Sequence, residues 1–211
     1  MSLLPTDAAE QFVDLQFIVQ GYAAPLDHGS ALWDAIREVL PWLESDTLAG
    51  IHHLSGLSPG SGEGTCYLSR RSRLTLRLAR GRVAAAQALV GSRLHLAGSM
   101  IDVGAAKVRD LAHAPVLHAA FVTVGTADEN AFMDACRQEL AALGVSPRLI
   151  CGKPQQARTP QGTLAGFSLM LHDLKVDAAL LLQRNGLGSE RKRGCGIFIP
   201  CKTIVAVGTL E

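Results

Sequence analysis

The chain has 211 residues, 48% of them apolar and only 5% aromatic, with 20 Lys and Arg set against 19 Asp and Glu. That length can bury a sizeable core in one large domain or two small ones, and the balanced charge excludes a uniformly basic or acidic chain. The five cysteines are odd in number and show no CxxC spacing, so neither a disulfide framework nor a zinc site is indicated, and a reducing cytoplasm fits best. Residues 1–11 lack the blocks of a signal peptide and no apolar run is long enough to span a bilayer, so a soluble, cytoplasmic protein without a membrane partner is expected.

Taken in order, Phe12–Val19 alternates apolar and polar residues and reads as a strand ended by Gly21. Asp27 is a plausible helix N-cap, because Leu32, Ile36, Val39, Leu40 and Leu43 then recur at helical spacing, with Pro41 kinking or closing the helix. Gly50–Leu54 is a short strand carrying His52 and His53, one facing in and the other out, and residues 57–64 form a loop. Thr65–Leu78 reads as a half-buried strand, with Leu74, Leu76 and Leu78 on one face and Arg73, Thr75 and Arg77 on a basic exposed face. An alanine-rich helix over Arg82–Val90, stopped by Gly91, leads to a strand at Arg93–Leu96 and a connector through Asp110.

The pattern then restarts. Val116–Val124 is a strand, and Asp128–Leu143 is a helix with Phe132, Cys136, Leu140 and Leu143 on its apolar stripe and Gly144 as its stop. Strands at Arg148–Cys151 and Leu164–Leu171 flank a polar stretch with Gln155, Gln156, Arg158 and Pro160, and a helix from Lys175 and a strand over 196–200 complete the unit. Two β-α-β-β-α-β units at a period near half the length predict an α+β protein of tandem ferredoxin-like modules, divided as residues 1–110 and 111–211.

The near-neutral total hides an asymmetry. Acidic residues dominate positions 1–50, where Arg37 is the sole cation, whereas Arg70, Arg71, Arg73, Arg77, Arg80, Arg82, Arg93, Lys107 and Arg109 face only Asp102 between 64 and 109. Segregated charge points to a polyanion on one face; ordinary solvated arginines are the plainer account. Near the end, a helix runs into Gly186-Leu187-Gly188-Ser189-Glu190-Arg191-Lys192-Arg193-Gly194-Cys195-Gly196 and then a strand. Four glycines let the backbone approach a ligand and three cations supply charge, which suits a phosphate chain; a mobile turn is the bland alternative. The order helix, loop, strand is neither a Walker loop nor a dinucleotide fingerprint. No HExxH, GxSxG or carboxylate cluster is present, so no metal and no cofactor is expected.

The Gly-Leu-Gly, basic insert, Gly-Cys-Gly and following Phe and Pro resemble the glycine-rich loop near the C-terminus of CRISPR-associated RAMP endoribonucleases, which cut precursor CRISPR RNA within its repeats. Asp27-His28-Gly29 resembles the subgroup found in myxobacterial-type systems. The resemblance implies tandem RAMP or RRM-like modules and a CRISPR repeat RNA partner, with other effector-complex subunits as further partners. It also implies a metal-independent cut by 2′-OH attack, with His28 as general acid/base and Tyr22 as a weaker candidate for orienting the nucleophile or moving a proton. Phosphate contacts are expected from Gly186, Gly188, Ser189, Arg191, Lys192, Arg193, Gly194 and Gly196 in the loop and from Arg70, Arg71 and Arg73. Two alternatives stay open: a RAMP subunit that holds guide RNA without cutting it, and a metabolite-binding tandem ferredoxin-like regulator.

Overall fold

The computed structural model describes residues 11–60 and 64–201, so the leader reading of residues 1–11 and part of the 57–64 loop fall outside the described residues. The first half opens with β1 (Phe12–Gly21), β2 (Ala23–Pro25) and α1 (Gly29–Val39). Pro41 ends the helix and begins a 3-10 turn, because the residue before a proline is pushed out of the α region. The short strands β3 (Gly50–Ile51), β4 (Ser58–Pro59) and β5 (Thr65–Tyr67) precede β6 (Arg73–Ala79), the one-turn α2 (Val83–Ala86), β7 (Arg93–Leu96) and β8 (Ser99–Asp110). The second half holds β9 (Leu117–Val122), α3 (Glu129–Ala142), β10 (Arg148–Thr159), β11 (Gly162–His172), α4 (Val176–Asn185) and β12 (Ile199–Pro200).

Both halves are wound the same way. The first sheet runs β3-β6-β1-β8-β7 and the second β10-β11-β9-β12, with antiparallel pairing throughout. Each sheet orders four strands as second, third, first, fourth, and in the first sheet β8 takes the fourth place expected of Arg93–Leu96, which lies at the edge as β7. The opening strands β1 and β9 therefore hold equivalent central places, which is the tandem ferredoxin-like arrangement that the repeated element order predicts. A third small sheet, β2-β5-β4, stands beside the first.

Alternation along β1 puts Val13, Leu15, Phe17 and Val19 into a core shared with Leu74, Leu76 and Leu78 of β6 and with Leu32 and Ile36 of α1. In the second core Leu117, Ala119, Leu169 and Leu171 meet Phe132, Cys136 and Leu140 of α3 and Ala179 and Leu182 of α4. Each fully buried Leu or Phe contributes roughly 1.5–3 kcal/mol. The Asp128 carboxylate caps α3 by accepting the Ala131 N–H at 2.8 Å. All five cysteines are free thiols.

Several expectations give way to tertiary pairing. The connector before Asp110 is the long strand β8, recruited by its register with β1 despite a weak local signal at Gly104-Ala105-Ala106. The Thr65–Leu78 strand is broken by a turn, so β5 joins the small sheet and only β6 joins the large one. The polar stretch after Cys151 continues β10 to Thr159, paired with β11 across a bulge between Cys151 and Pro154. The alanine-rich helix shrinks to α2 between two 3-10 turns.

The expected basic face of β6 is not exposed: Thr75 is buried and Arg77 is 0% exposed. Arg77 grips the Asp14 carboxylate through Nε at 2.8 Å and Nη2 at 2.9 Å, and its Nη1 donates to Gln183 O at 3.2 Å and Phe198 O at 2.5 Å. One guanidinium thus joins β1 of the first half to α4 and the approach to β12 of the second. His52 Nε2 stands 3.4 Å from Asp14 Oδ1, within ion-pair range but outside hydrogen-bond geometry. Burial alone would raise the Asp14 carboxyl; the neighbouring His52 and Arg77 more than offset it and hold the group well below the usual carboxylate range.

Candidate functional site

The start of α1 is a junction of both halves. His28, not Asp27, occupies the N-cap position and makes no side-chain cap. The Asp27 carboxylate instead accepts the Arg158 N–H at 2.7 Å, and Ser30 Oγ donates to Arg158 O at 2.9 Å, so the end of β10 is stitched across the helix start. Beside it opens a cleft of about 700 Å³, lined by Pro25, Leu26 and Asp27 from one half and Gln156, Arg158 and Thr163 from the other.

His28 itself is 3% exposed. Its Nδ1 lies 2.9 Å from Pro25 O and its Nε2 lies 2.9 Å from the Leu54 nitrogen. A carbonyl only accepts and a backbone N–H only donates, so the ring is the neutral tautomer with the proton on Nδ1. Burial lowers its pKa, against opposing contributions from the Pro25 and Leu26 carbonyls and from Asp27. Both nitrogens expected to serve a substrate are therefore engaged by the backbone.

A residue to which the sequence assigns no catalytic role stands next to it. The His53 ring meets His28 edge-on, with centroids 5.3 Å apart and planes at 85°. It is half-buried, and among the described residues nothing hydrogen-bonds its nitrogens. Two glycines leave the room it occupies. A Cβ on Gly194 would fall 2.6 Å from His53 Nε2, and one on Gly29 would fall 3.5 Å from His53 Cε1 and 2.5 Å from Arg193 O. Burial, with the neighbouring His28 acting in the same direction, pushes His53 down to about 4. Only the meeting of Gly194 with His53 in space marks the site, and nothing in the local sequence announces that meeting.

The glycine-rich loop closes over this point with a 3-10 turn at Arg191–Arg193, set between the left-handed residues Glu190 and Gly194. Its cations face the protein. Arg191 is 8% exposed and donates through Nη2 to Leu48 O at 3.1 Å and Arg184 O at 2.9 Å, and through Nη1 to Gly196 O at 3.4 Å. Burial brings its pKa down to about 10, so it keeps its charge at neutral pH. Lys192 donates to Asp46 O and lies 5.8 Å over the Trp33 ring, and Arg193 pairs with Glu190. Gly186, Gly188 and Gly196 rest against Arg191, Thr123 and Leu187, while Ser189 is exposed with its N–H on Thr123 O at 3.0 Å. The close approach that these glycines permit is an approach of the chain to itself, and the Arg191 expected to meet phosphate ties the loop to the first half.

The remaining residues singled out in the sequence lie on the small sheet and the turn after it. Tyr22 is 80% exposed and packs on Tyr67, not on His28, with ring centroids 5.2 Å apart. Arg70 and Arg71 are exposed, whereas Arg73 is half-buried and donates through Nη1 to Arg70 O at 2.9 Å and Ser72 O at 2.7 Å. Among the described residues no helix is long and apolar enough to cross a membrane.

Comparison with known proteins gives this geometry a setting. The family described as Cas6 Crispr matches residues 13–203. A relative from Myxococcus xanthus (strain DK1622), the CRISPR-associated endonuclease Cas6, is 37% identical over 190 residues, which is 90% of this chain and 81% of that protein. Among solved structures, the product of a Cas6-related gene from Pyrococcus furiosus superimposes with a TM-score of 0.68 at 12% identity, covering 91% of this chain and 99% of that one. A RAMP protein binding different RNA substrates gives a TM-score of 0.66 at 13% identity, covering 90% and 99%. At such identities the structural likeness is one of fold.

Proposed function

This chain belongs to the Cas6 family of CRISPR proteins, and from that premise we propose that it binds CRISPR repeat RNA and cuts precursor CRISPR RNA within the repeat without a metal ion. The 2′-OH attacks the adjacent phosphodiester: an O2′–P bond forms, the P–O5′ bond breaks, and the products carry a 2′,3′-cyclic phosphate and a 5′-OH. One proton leaves the 2′ oxygen and one reaches the departing 5′ oxygen. The M. xanthus relative is named an endonuclease, which supports phosphodiester cleavage as the reaction. Retention of the product as a guide, in company with other effector subunits, belongs to the same reading.

The observation that carries the chemistry is the unengaged ring of His53 between the start of α1 and the glycine-rich loop. His53 takes the proton-transfer role, and His28 is a positioning residue whose two backbone bonds hold it edge-on against that ring. With its pKa at about 4 in the free protein, His53 is neutral at pH 7 and able to accept the 2′-OH proton. A phosphodiester brought beside it raises that pKa, because opposite charge favours the protonated form.

Single-turnover cleavage of a labelled transcript of the CRISPR repeat in EDTA, run beside a filter-binding titration, tests this. His53→Gln is expected to lower the rate by ~10²–10⁴-fold with affinity within a few-fold of the parent. Undiminished cutting by His53→Gln removes it from the mechanism, and a strict need for a divalent ion removes the metal-free step. A second reading, binding without cutting, is favoured by the engaged nitrogens of His28 and the enclosed Arg191; the same titration would then show binding with no product.

A further inference from the structure

We propose that Tyr22 and Tyr67, with Arg70 and Arg71, form a stacking site for an unpaired nucleotide of single-stranded RNA, at a place separate from the histidine pair. β5 is the centre of the small sheet, with Tyr67 opposite Ala23 on one side and Ser58 on the other. Successive side chains of a strand point to opposite faces. Cys66 goes inward, its thiol donating to Ala24 O at 3.2 Å, and so Tyr67 goes to the other face. The Leu68 N–H donates to Tyr22 O at 3.1 Å and holds Tyr22 alongside. The rings meet at 58°, a tilted contact that leaves Tyr22 80% exposed as a residue.

The turn after β5 is built to hold its backbone still. The Ser69 N–H donates to Ser72 Oγ at 2.8 Å, the Arg71 N–H donates to Ser69 Oγ at 3.1 Å, and both serine hydroxyls donate to Gly56 O at 2.9 Å. Arg73 clamps Arg70 O from below. On this pinned turn the guanidinium groups of Arg70 and Arg71 are exposed and, among the described residues, have no ion-pair or hydrogen-bond partner. Arg37, Arg77, Arg80, Arg93, Arg137 and Arg148 by contrast all face a carboxylate. An exposed aromatic residue and, three and four residues along the chain from Tyr67, two planar cations without protein partners match a base with its flanking phosphates. A base inside a duplex is already covered on both sides, so the nucleotide held here is an unpaired one.

This inference rests on the reading that the ligand is RNA, and its test keeps the two apart. The probe is a single-stranded oligouridylate carrying one 2-aminopurine, compared with the same strand in a duplex and with cleavage of the repeat transcript. The parent is expected to quench the single strand and not the duplex. Tyr22→Ala loses the quench and weakens binding about tenfold, Tyr22→Phe restores both because the ring and not the hydroxyl does the stacking, and all variants melt with the parent. Equal quenching by parent and Tyr22→Ala, or Phe behaving as Ala, overturns the stacking site and leaves the endonuclease standing. A parent that binds neither RNA overturns both.

Discussion

The Arg70-Arg71 turn and the Arg191-Lys192-Arg193 turn carry comparable runs of cations into different surroundings. In the first, serine hydroxyls and Gly56 hold the backbone and leave the guanidinium groups to solvent. In the second, the cations hold the fold: Arg191 reaches Leu48 O and Arg184 O, Lys192 reaches Asp46 O, and Arg193 pairs with Glu190. Arg77 belongs with the second group, although it sits on the same strand system as the first. A cluster of positive charge in a sequence is therefore not yet a surface for a polyanion. What decides is whether backbone carbonyls of another element end within reach.

The widest gap between the two groups should appear on removing Arg77. Arg77→Ala strips the Asp14 carboxylate of its guanidinium, leaving only His52 within ion-pair range, and takes this donor from Gln183 O and Phe198 O. Breaking one side of a buried ion pair costs ~3–5 kcal/mol. Urea unfolding should show that loss for Arg77→Ala, and a loss below about 1 kcal/mol would mean that Arg77 does not hold the halves together.

Histidines in the same seam respond to burial differently from arginine, because burial strips them of charge. His53 is held at about 4, against 6.5 for an unperturbed imidazole, and His28 and His52 are lowered as well, chiefly by burial. With the folded pKa below the unfolded one, the unfolded chain binds more protons between those values, so stability is full above pH 6.5 and is lost as pH falls toward 4. The loss across that window is on the order of a few kcal/mol and is shared by His53 with the histidines beside it. Unfolding curves at pH 7, 5.5 and 4.5 should decline accordingly, and His53→Gln should flatten the decline; an unchanged pH profile in that variant would remove His53 as its source.

These contrasts mark where the chain could and could not be read in advance. Apolar period locates β1, α1, α3 and α4, because each buries a stripe of its own residues. The duplicated element order carries the tandem ferredoxin-like topology even though β8 and most of β10 pass for connectors. Those strands owe their form to a partner, β1 in one case and β11 in the other, and a weak segment paired along its whole length needs no propensity of its own. The same limit applies at the candidate site. Asp27-His28-Gly29 and the glycine-rich loop are visible as motifs, and they do converge at the start of α1. What surrounds His28, which neighbour keeps free nitrogens, and whether a glycine makes room for a ligand or for His53 depend on residues far along the chain. Arg77 fails in the same way, since its partners Gln183 and Phe198 lie in the other half.

The smallest expected effect draws the finest line between the two arginine groups. Arg70→Ala and Arg71→Ala remove exposed side chains with no protein partner among the described residues, so stability should stay within about 0.5 kcal/mol of the parent. Their effect belongs to RNA. A cation that neutralises a phosphate releases condensed counterions, and each lost contact should reduce the slope of log affinity against log salt by ~0.7–1. Arg191→Met should do the reverse, lowering the melting temperature while leaving the slope where it was, because its guanidinium is spent on Leu48 O, Arg184 O and Gly196 O. Repeat RNA titrated against the three variants over a range of salt concentrations gives the slope, and unfolding curves of the same variants give the stability. If Arg191→Met flattens the slope as much as Arg71→Ala does, the glycine-rich loop opens when RNA arrives, and the division between fold-holding and ligand-facing arginines holds only for the free protein.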